Sequence, residues 1–324
     1  MPEGDELPTI GELVSNWLGV QLPAIPMKQT LKNFDKALSK IVLAAGENFE
    51  ARIKRNTGKA KAQGKIDVEG MYRTEDERRK IENRAAATKA ALEDLRHSTP
   101  QEDAPREIED DWLNYFARLA EDKSSEELQT LFGKILSGEI KRPGSFSLTT
   151  MQTLALISKR DAELLSKLLS FAIAGTLVPF ETAEDAEDGH PTVAERVFLD
   201  ELGIAGHPSQ IGGLKFDFTV GPSSRVFLLA AGHRGMVVVN DMPEPASFSI
   251  PGQVLTNTGQ QILAIANSPP TDIEFLKKVA RNIRADLMSR YQAQISDGLL
   301  KVQVGEAQQL GTQAQFTAHF TIED

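Results

Sequence analysis

Cysteine is absent from the 324 residues, and histidine occurs five times, at His97, His190, His207, His233 and His319. Without a thiol the chain has no disulfide, no thiolate zinc site, no iron–sulfur cluster and no cysteine nucleophile. No two histidines stand three or four residues apart, so no helical face offers a metal two imidazoles. His190 and His207 each precede a proline in turn-rich sequence, where imidazoles are usually exposed and idle. The glycine patterns that cradle phosphates, GxxxxGK followed by Ser or Thr and GxGxxG, are missing, as is the GxSxG nucleophile elbow. Glu107, Glu109, Asp110 and Asp111 crowd the start of a helical pattern, where carboxylates complement the helix dipole. Glu184, Asp185, Glu187 and Asp188 lack the glycine and the twelve-residue spacing of a calcium loop. The balance leans against an enzyme, and no cofactor or metal is expected.

Binding is the chemistry left to consider, and the cations suggest where. The formal net charge of −10 argues against a nonspecific nucleic-acid binder, but it is spread unevenly. Lys28–Lys65 holds ten basic and three acidic residues, whereas 176–324 holds ten basic and eighteen acidic ones. The basic excess is densest at Arg52, Lys54, Arg55, Lys59, Lys61 and Lys65. Such a run most often forms a solvated helix face. The sharper readings are contact with phosphates, with anionic lipid or with the chain's own acidic remainder. Lys141 and Arg142 lie in the loop Gly138–Ser147, where Pro143-Gly144 turns the chain and Ser147 caps the next helix. The same two cations meet a helix N-terminus, an anion- or partner-binding arrangement that Lys159 and Arg160 extend.

These residues need elements to position them. Residues 1–27, with four prolines, read as a flexible leader containing a short apolar island at Leu13, Val14, Trp17 and Leu18. Leu31, Phe34, Leu38, Ile41, Val42, Ala45, Phe49 and Ile53 mark one amphipathic helix. Ile81, Ala85, Thr88, Leu92 and Leu95 stripe a second, whose small residues suit a helical hairpin or an oligomer seam. Together they make a basic hairpin over 28–97. Four further helical faces follow in 104–178: Ile108–Leu119, Leu128–Ile140 (with a capping pattern at Ser124 and Glu127), Leu148–Ile157, and Leu165–Ile173 behind Ser158 and Asp161. Short connections make this a four-helix bundle. An acidic linker over 181–191 precedes a domain at 192–324 with a short helix at Val193–Leu202 and strands at 215–220, 225–231 and 235–240. Helices at 256–266 and 273–291 and strands at 299–304 and 314–322 complete it. The expected fold is therefore mainly α in the N-terminal and central parts, followed by an α+β domain with an antiparallel sheet.

The charge-free stretch Pro245–Thr271 is broken by prolines and glycines and does not suit a bilayer span. MPEGDE at the start is acidic where a secretory signal is basic, so the expected address is cytoplasmic. Glu201-Leu202-Gly203-Ile204, then strands, then Val254-Leu255-Thr256-Asn257-Thr258-Gly259 opening a helix, resembles winged-helix modules. Those usually bind DNA. Here one arginine and three acids on the short helix would attract phosphate poorly, so a protein-binding or dimerising wing is the expectation.

The block Trp112–Phe171, above all LFGKILSGEIKRPGSFS followed by SKRDAELLSKL, resembles a bacterial and prophage family of unknown function that is loosely related to the abortive-infection alpha proteins of phage defence. The resemblance carries no catalytic residues and implies a context of mobile elements and phage–host conflict. The leading expectation is a non-enzymatic interaction or regulatory protein acting by self-assembly, as a homo-oligomer, or through a protein partner. Two alternatives are a nucleic-acid-binding regulator using the wing and the basic helix, and a peripheral effector at an anionic membrane surface through Trp17, Leu18 and the Leu31–Ile53 face.

Overall fold

The computed structural model describes residues 14, 18–43, 75–98, 102–179, 191–206, 215–310 and 313–322. The chain divides into two compact units, 1–162 and 163–324. The first is helical and the second mixed, so the protein is α+β with its strands in the C-terminal part.

Unit one holds α1 (Lys28–Leu43), α2 (Glu75–His97), α3 (Asp110–Ala120), α4 (Glu126–Lys141), α5 (Leu148–Leu156) and the first turn of α6 (Lys159–Leu169). The three-and-four spacing does what it predicts: Phe34, Leu38, Ile41, Phe116, Phe132, Ile135, Leu136 and Leu154 are almost wholly buried. Trp112 stacks on Phe116 at 5.4 Å between ring centres, and Phe116 meets Phe132 at 5.6 Å. Ser125 rather than Ser124 caps α4, accepting from Leu128 N at 3.4 Å. Ser147 caps α5, and Ser158 with Asp161 closes the start of α6. Leu148, read as inward, is 49% exposed at the first position of α5, whereas Met151 and Leu154 on the same face are buried. The first helix is described only as far as Leu43, and its expected continuation to Ile53 lies outside the described residues.

The α2 stripe is not an open seam. Ile81, Ala85, Thr88, Leu92 and Leu95 are all buried within this unit, and α4 packs closely along α2. A Cβ on Gly133 of α4 would lie 2.5 Å from Ala90 Cβ and 2.8 Å from Ala91 N, so the small residues of one helix admit the backbone of the other.

Unit two runs from the rest of α6 through β1 (Leu177–Pro179), α7 (Val193–Glu201), β2 (Lys215–Val220), β3 (Ser224–Ala230), β4 (Arg234–Asn240), β5 (Ala246–Val254), α8 (Asn257–Ile265), α9 (Ile273–Ser296), β6 (Leu300–Leu310) and β7 (Gln313–Thr321). Its described strands form two antiparallel sheets, β1-β5-β2 and β3-β4-β6-β7. Apolar runs match burial here too: Met236 to Val239 of β4 are buried without alternation, as in a strand covered on both faces. Phe275, Leu276, Val279, Ala280, Ile283 and Leu287 of α9 are buried against β5 and β6.

Strand β5 was not legible. It sits in the charge-free stretch and contains Pro251 and Gly252, which read as breakers. Pro251 lies where β5 leaves the β2 ladder for that of β1, a join at which a missing N–H is tolerated. A Cβ on Gly252 would meet Leu177 Cδ1 at 2.5 Å, so glycine lets the third strand close in.

Candidate interaction surface

Arg52, Lys54, Arg55, Lys59, Lys61 and Lys65 lie outside the described residues. The other four cations are placed. Lys141 ends α4, and its ammonium reaches Asp94 Oδ2 at 3.2 Å and Ser98 Oγ at 2.9 Å. Burial opposes ionisation of Asp94, but the Ser137 hydroxyl and the Lys141 charge outweigh it and hold the carboxyl below its ordinary value. Arg142 is exposed at the α4 C-cap, and its carbonyl accepts from Ser145 N at 3.1 Å. Lys159 is paired with Glu127, and Arg160 is exposed on the first turn of α6. Both lysines are thus answered by carboxylates of their own unit.

What organises the Gly138–Ser147 loop is a residue the sequence reading passed over. Glu139 is 2% exposed, and its carboxylate accepts from Gly144 N at 2.6 Å and Phe146 N at 3.2 Å. Burial pushes its acidity toward higher pH, partly offset by those amides, that of Ser145 and the charge of Arg106. Trp112 donates its indole N–H to Phe146 O at 2.8 Å, and Arg106 Nε reaches Pro143 O at 3.3 Å. The loop is therefore shaped around an internal anion, with no need of an external one. An acid one turn before a Pro-Gly pair was the available signal.

The acidic cluster at the start of α3 is also structural. Lys36 bridges Glu107 at 2.7 Å and Asp110 at 2.8 Å, and Lys40 reaches Asp110 at 3.4 Å. Asp103 caps α1 from a distance, accepting from Gln29 N and Thr30 N at 3.0 and 2.9 Å. Asn33, fully buried, donates to Arg106 O and accepts from Ile108 N. His190 and His207 lie outside the described residues, and no group of three or more His, Asp or Glu among the described residues could hold a metal ion.

Unit two offers surfaces of a different kind. Strand β7 is the terminal strand of its sheet, and Gln315, Thr317, Ala318, His319, Phe320 and Thr321 are exposed. Between Gln313 and Thr321 there is no lysine, arginine, aspartate or glutamate. The β4–β6 ladder stops at Glu306, whereas the β6–β7 ladder continues to Leu310 and Gln313, so the hairpin extends past β4 as a two-stranded ribbon. A bulge between Val304 and Gly305 sets His319 outside the regular pairing. Natural edges are usually blunted with charge, proline or a cover, and here the bulge and the Lys277 ammonium, 3.7 Å from the centre of the Phe320 ring, are such devices.

At the other edge lies β3. Its outer side is closed at two points. Leu229 O accepts from Ala174 N at 2.8 Å, and Ala231 is held by Thr271, whose N–H donates to Ala231 O at 3.1 Å and whose hydroxyl accepts from Ala231 N at 3.0 Å. Antiparallel alternation turns the main-chain groups of Phe227 and Arg225, and the N–H of Leu229, to the same side. No described residue bonds them. Beside them is a cleft of about 600 Å³ lined by Phe227, Leu229, Leu263, Ala174, Ala266 and Ser268, among others, none of them ionisable. The Ser268 hydroxyl oxygen is buried and unpartnered, and Ala174 adopts φ +52°, a strained backbone for a residue with a Cβ.

The class these observations define is an α+β protein with a helical first unit and open strand edges in the second. Within it, residues 72–178, running from before α2 to β1, match the family described as "Protein of unknown function (DUF2806)". No curated protein and no solved structure gave a match. Among the described residues no helix is long and apolar enough to cross a membrane.

Proposed function

We propose that this chain is a non-enzymatic interaction protein that acts by self-assembly, in the phage-defence setting suggested by its likeness to the abortive-infection alpha proteins. The observation that carries the reading is β7: a nine-residue edge strand with no formal charge, exposed at Gln315 and from Thr317 to Thr321. A second copy is the fitting occupant. Antiparallel pairing of β7 with itself about a twofold sets residue i of one copy against residue j of the other and j against i, and an uncharged strand meets no like-charge repulsion there. Light scattering coupled to size exclusion tests it on the full chain. The expected result is a dimer or larger species whose mass falls for a Gln315→Lys, Thr317→Lys double variant; a wild-type monomer at tens of micromolar overturns the reading.

A second reading has one observation in its favour. The sheet order β1-β5-β2, with α7 between β1 and β2 in sequence, is the arrangement a winged-helix module uses, and this supports a wing-bearing regulator. Its weakness as a DNA reader is physical. Arg196, the arginine of α7, is 5% exposed and gives its guanidinium to Pro179 O and Pro191 O, so it is not presented to phosphate. A salt-dependent mobility shift with duplex DNA is the minimum this reading requires.

A further inference from the structure

The cleft beside β3 joins three properties. It borders a stretch of strand edge, the main-chain groups of Phe227 and Arg225 and the N–H of Leu229, that no described residue bonds, it has no ionisable lining, and it includes Ser268, whose buried hydroxyl oxygen has no partner among the described residues. Its volume of about 600 Å³ lies within the usual range for a ligand site, roughly 300–1,000 Å³. Its walls are mostly small, with Ala174 and Ala266 beside the larger Phe227, Leu229 and Leu263. Small walls let a second backbone come close, and the larger side chains leave room for alternate apolar groups.

We propose that this cleft receives an extended, uncharged polypeptide segment from a protein partner, which adds as a strand along β3 and hydrogen-bonds to the main-chain groups of Phe227 and the N–H of Leu229, which no described residue bonds. The local geometry already contains the beginning of such a strand. The Ala174 N–H donates to Leu229 O, and Thr271 saturates Ala231 on the same side. The segment would continue that line toward Arg225, with main-chain bonds supplying affinity and the apolar wall selecting side chains at every second position. A charged segment is disfavoured, since a carboxylate or ammonium entering an unionisable cleft gives up hydration with no counter-charge. A free strand edge argues for a peptide over a compact small molecule, which has no use for groups repeating along a strand.

β3 and β7 are the two terminal strands of the same sheet, and Phe227 of the cleft meets Phe316 of β7 at 6.2 Å between ring centres, so the test of this site is one that does not depend on the assembly state. The probe is a displayed library of random decapeptides panned against the full-length protein, with enriched sequences resynthesised and measured by fluorescence anisotropy. The expected enrichment is for uncharged peptides with apolar residues at alternate positions. Leu263→Lys, which puts a cation in the cleft, should weaken their binding at least tenfold, and Ser268→Trp, which fills it, should do the same. Leu156→Ser, at a 76% exposed position of α5, should leave binding unchanged, and melting curves must show all three variants folded. Methylating peptide amides one at a time should abolish binding at every second position only, because alternate amides of an added strand face β3. No enrichment, enrichment of charged or compact motifs, binding indifferent to both cleft variants, or methylation effects without alternation each overturn the proposal. A chain that self-assembles yet enriches no peptide overturns this inference and leaves β7 assembly standing.

Discussion

Replacing Gly133 with alanine sets two effects of opposite sign against each other. Helix propensity favours the change: alanine in a helix interior is worth about 1 kcal/mol over glycine. Packing opposes it. The new Cβ would meet Ala90 Cβ at 2.5 Å, Ala91 N at 2.8 Å and Ala90 C at 2.9 Å, and two of those three atoms are backbone. Neither side chain can swing aside, so α2 and α4 must part along a seam that also buries Ala87, Ala91, Ile135 and Leu136. Overpacking costs about 1–3 kcal/mol, and the backbone contacts place this case in the upper part of that range. The net is a loss of about 1–2 kcal/mol, which for a unit of this size lowers the melting temperature by roughly 2–8 °C. The assay is thermal melting followed by the helical far-ultraviolet signal, with Gln152→Ala on the exposed side of α5 as control. A Gly133→Ala protein that melts higher than wild type would refute the reasoning, because propensity alone would then govern the site. That result would also reopen the α2 stripe as a seam between chains.

Three other substitutions follow from the same kind of argument. Glu139→Gln keeps the shape but offers one acceptor where two were used, and should cost about 1.5–3 kcal/mol by urea titration. Because burial raises the pKa of Glu139 above the ordinary carboxylate value, its contribution is present at low pH and is lost as pH rises through the folded-state value, so the gap from wild type should narrow as pH rises. Lys141→Met acts in the opposite sense: Asp94 is held below its ordinary value, its stabilisation is present above about pH 4, and the variant should lose stability at neutral pH with the gap closing as pH falls through the folded-state value. In unit two, Gly259→Ala drives a methyl into the Ile204 carbonyl at the start of α8, and a loss of about 2 kcal/mol or more in the unfolding of that unit is expected; an unchanged melting curve would contradict the close approach.

The sequence was most informative where one period ran unbroken. The faces of α4 and α6, the caps Ser147 and Thr256, and the strands β2 to β4 were legible because local spacing and burial agree there. It was least informative where distant partners decide. Pro251 looks like a breaker until β1 and β2 are both alongside β5, and Arg196 looks like a surface cation until two prolyl carbonyls claim it. The loop cations Lys141 and Lys159 stood out by type, yet Asp94 and Glu127, remote in sequence, answer them. The open edges could not be foreseen, because which strand ends a sheet is a property of topology and leaves no mark on composition.

The cap on α1 has a consequence in time. The helix begins at Lys28, but the carboxylate that satisfies its first amides belongs to Asp103, and the buried side chain of Asn33 is met by Arg106 O and Ile108 N. At a synthesis rate of about 5–20 residues per second, α1 therefore leaves the ribosome roughly 4–15 seconds before the residues that close its first turn. Until then it is a helix with an unfinished end and an apolar face, a target for chaperones. This helix is thus secured only after about 75 further residues have been made, and a brake on translation before Asp103 would lengthen its exposure.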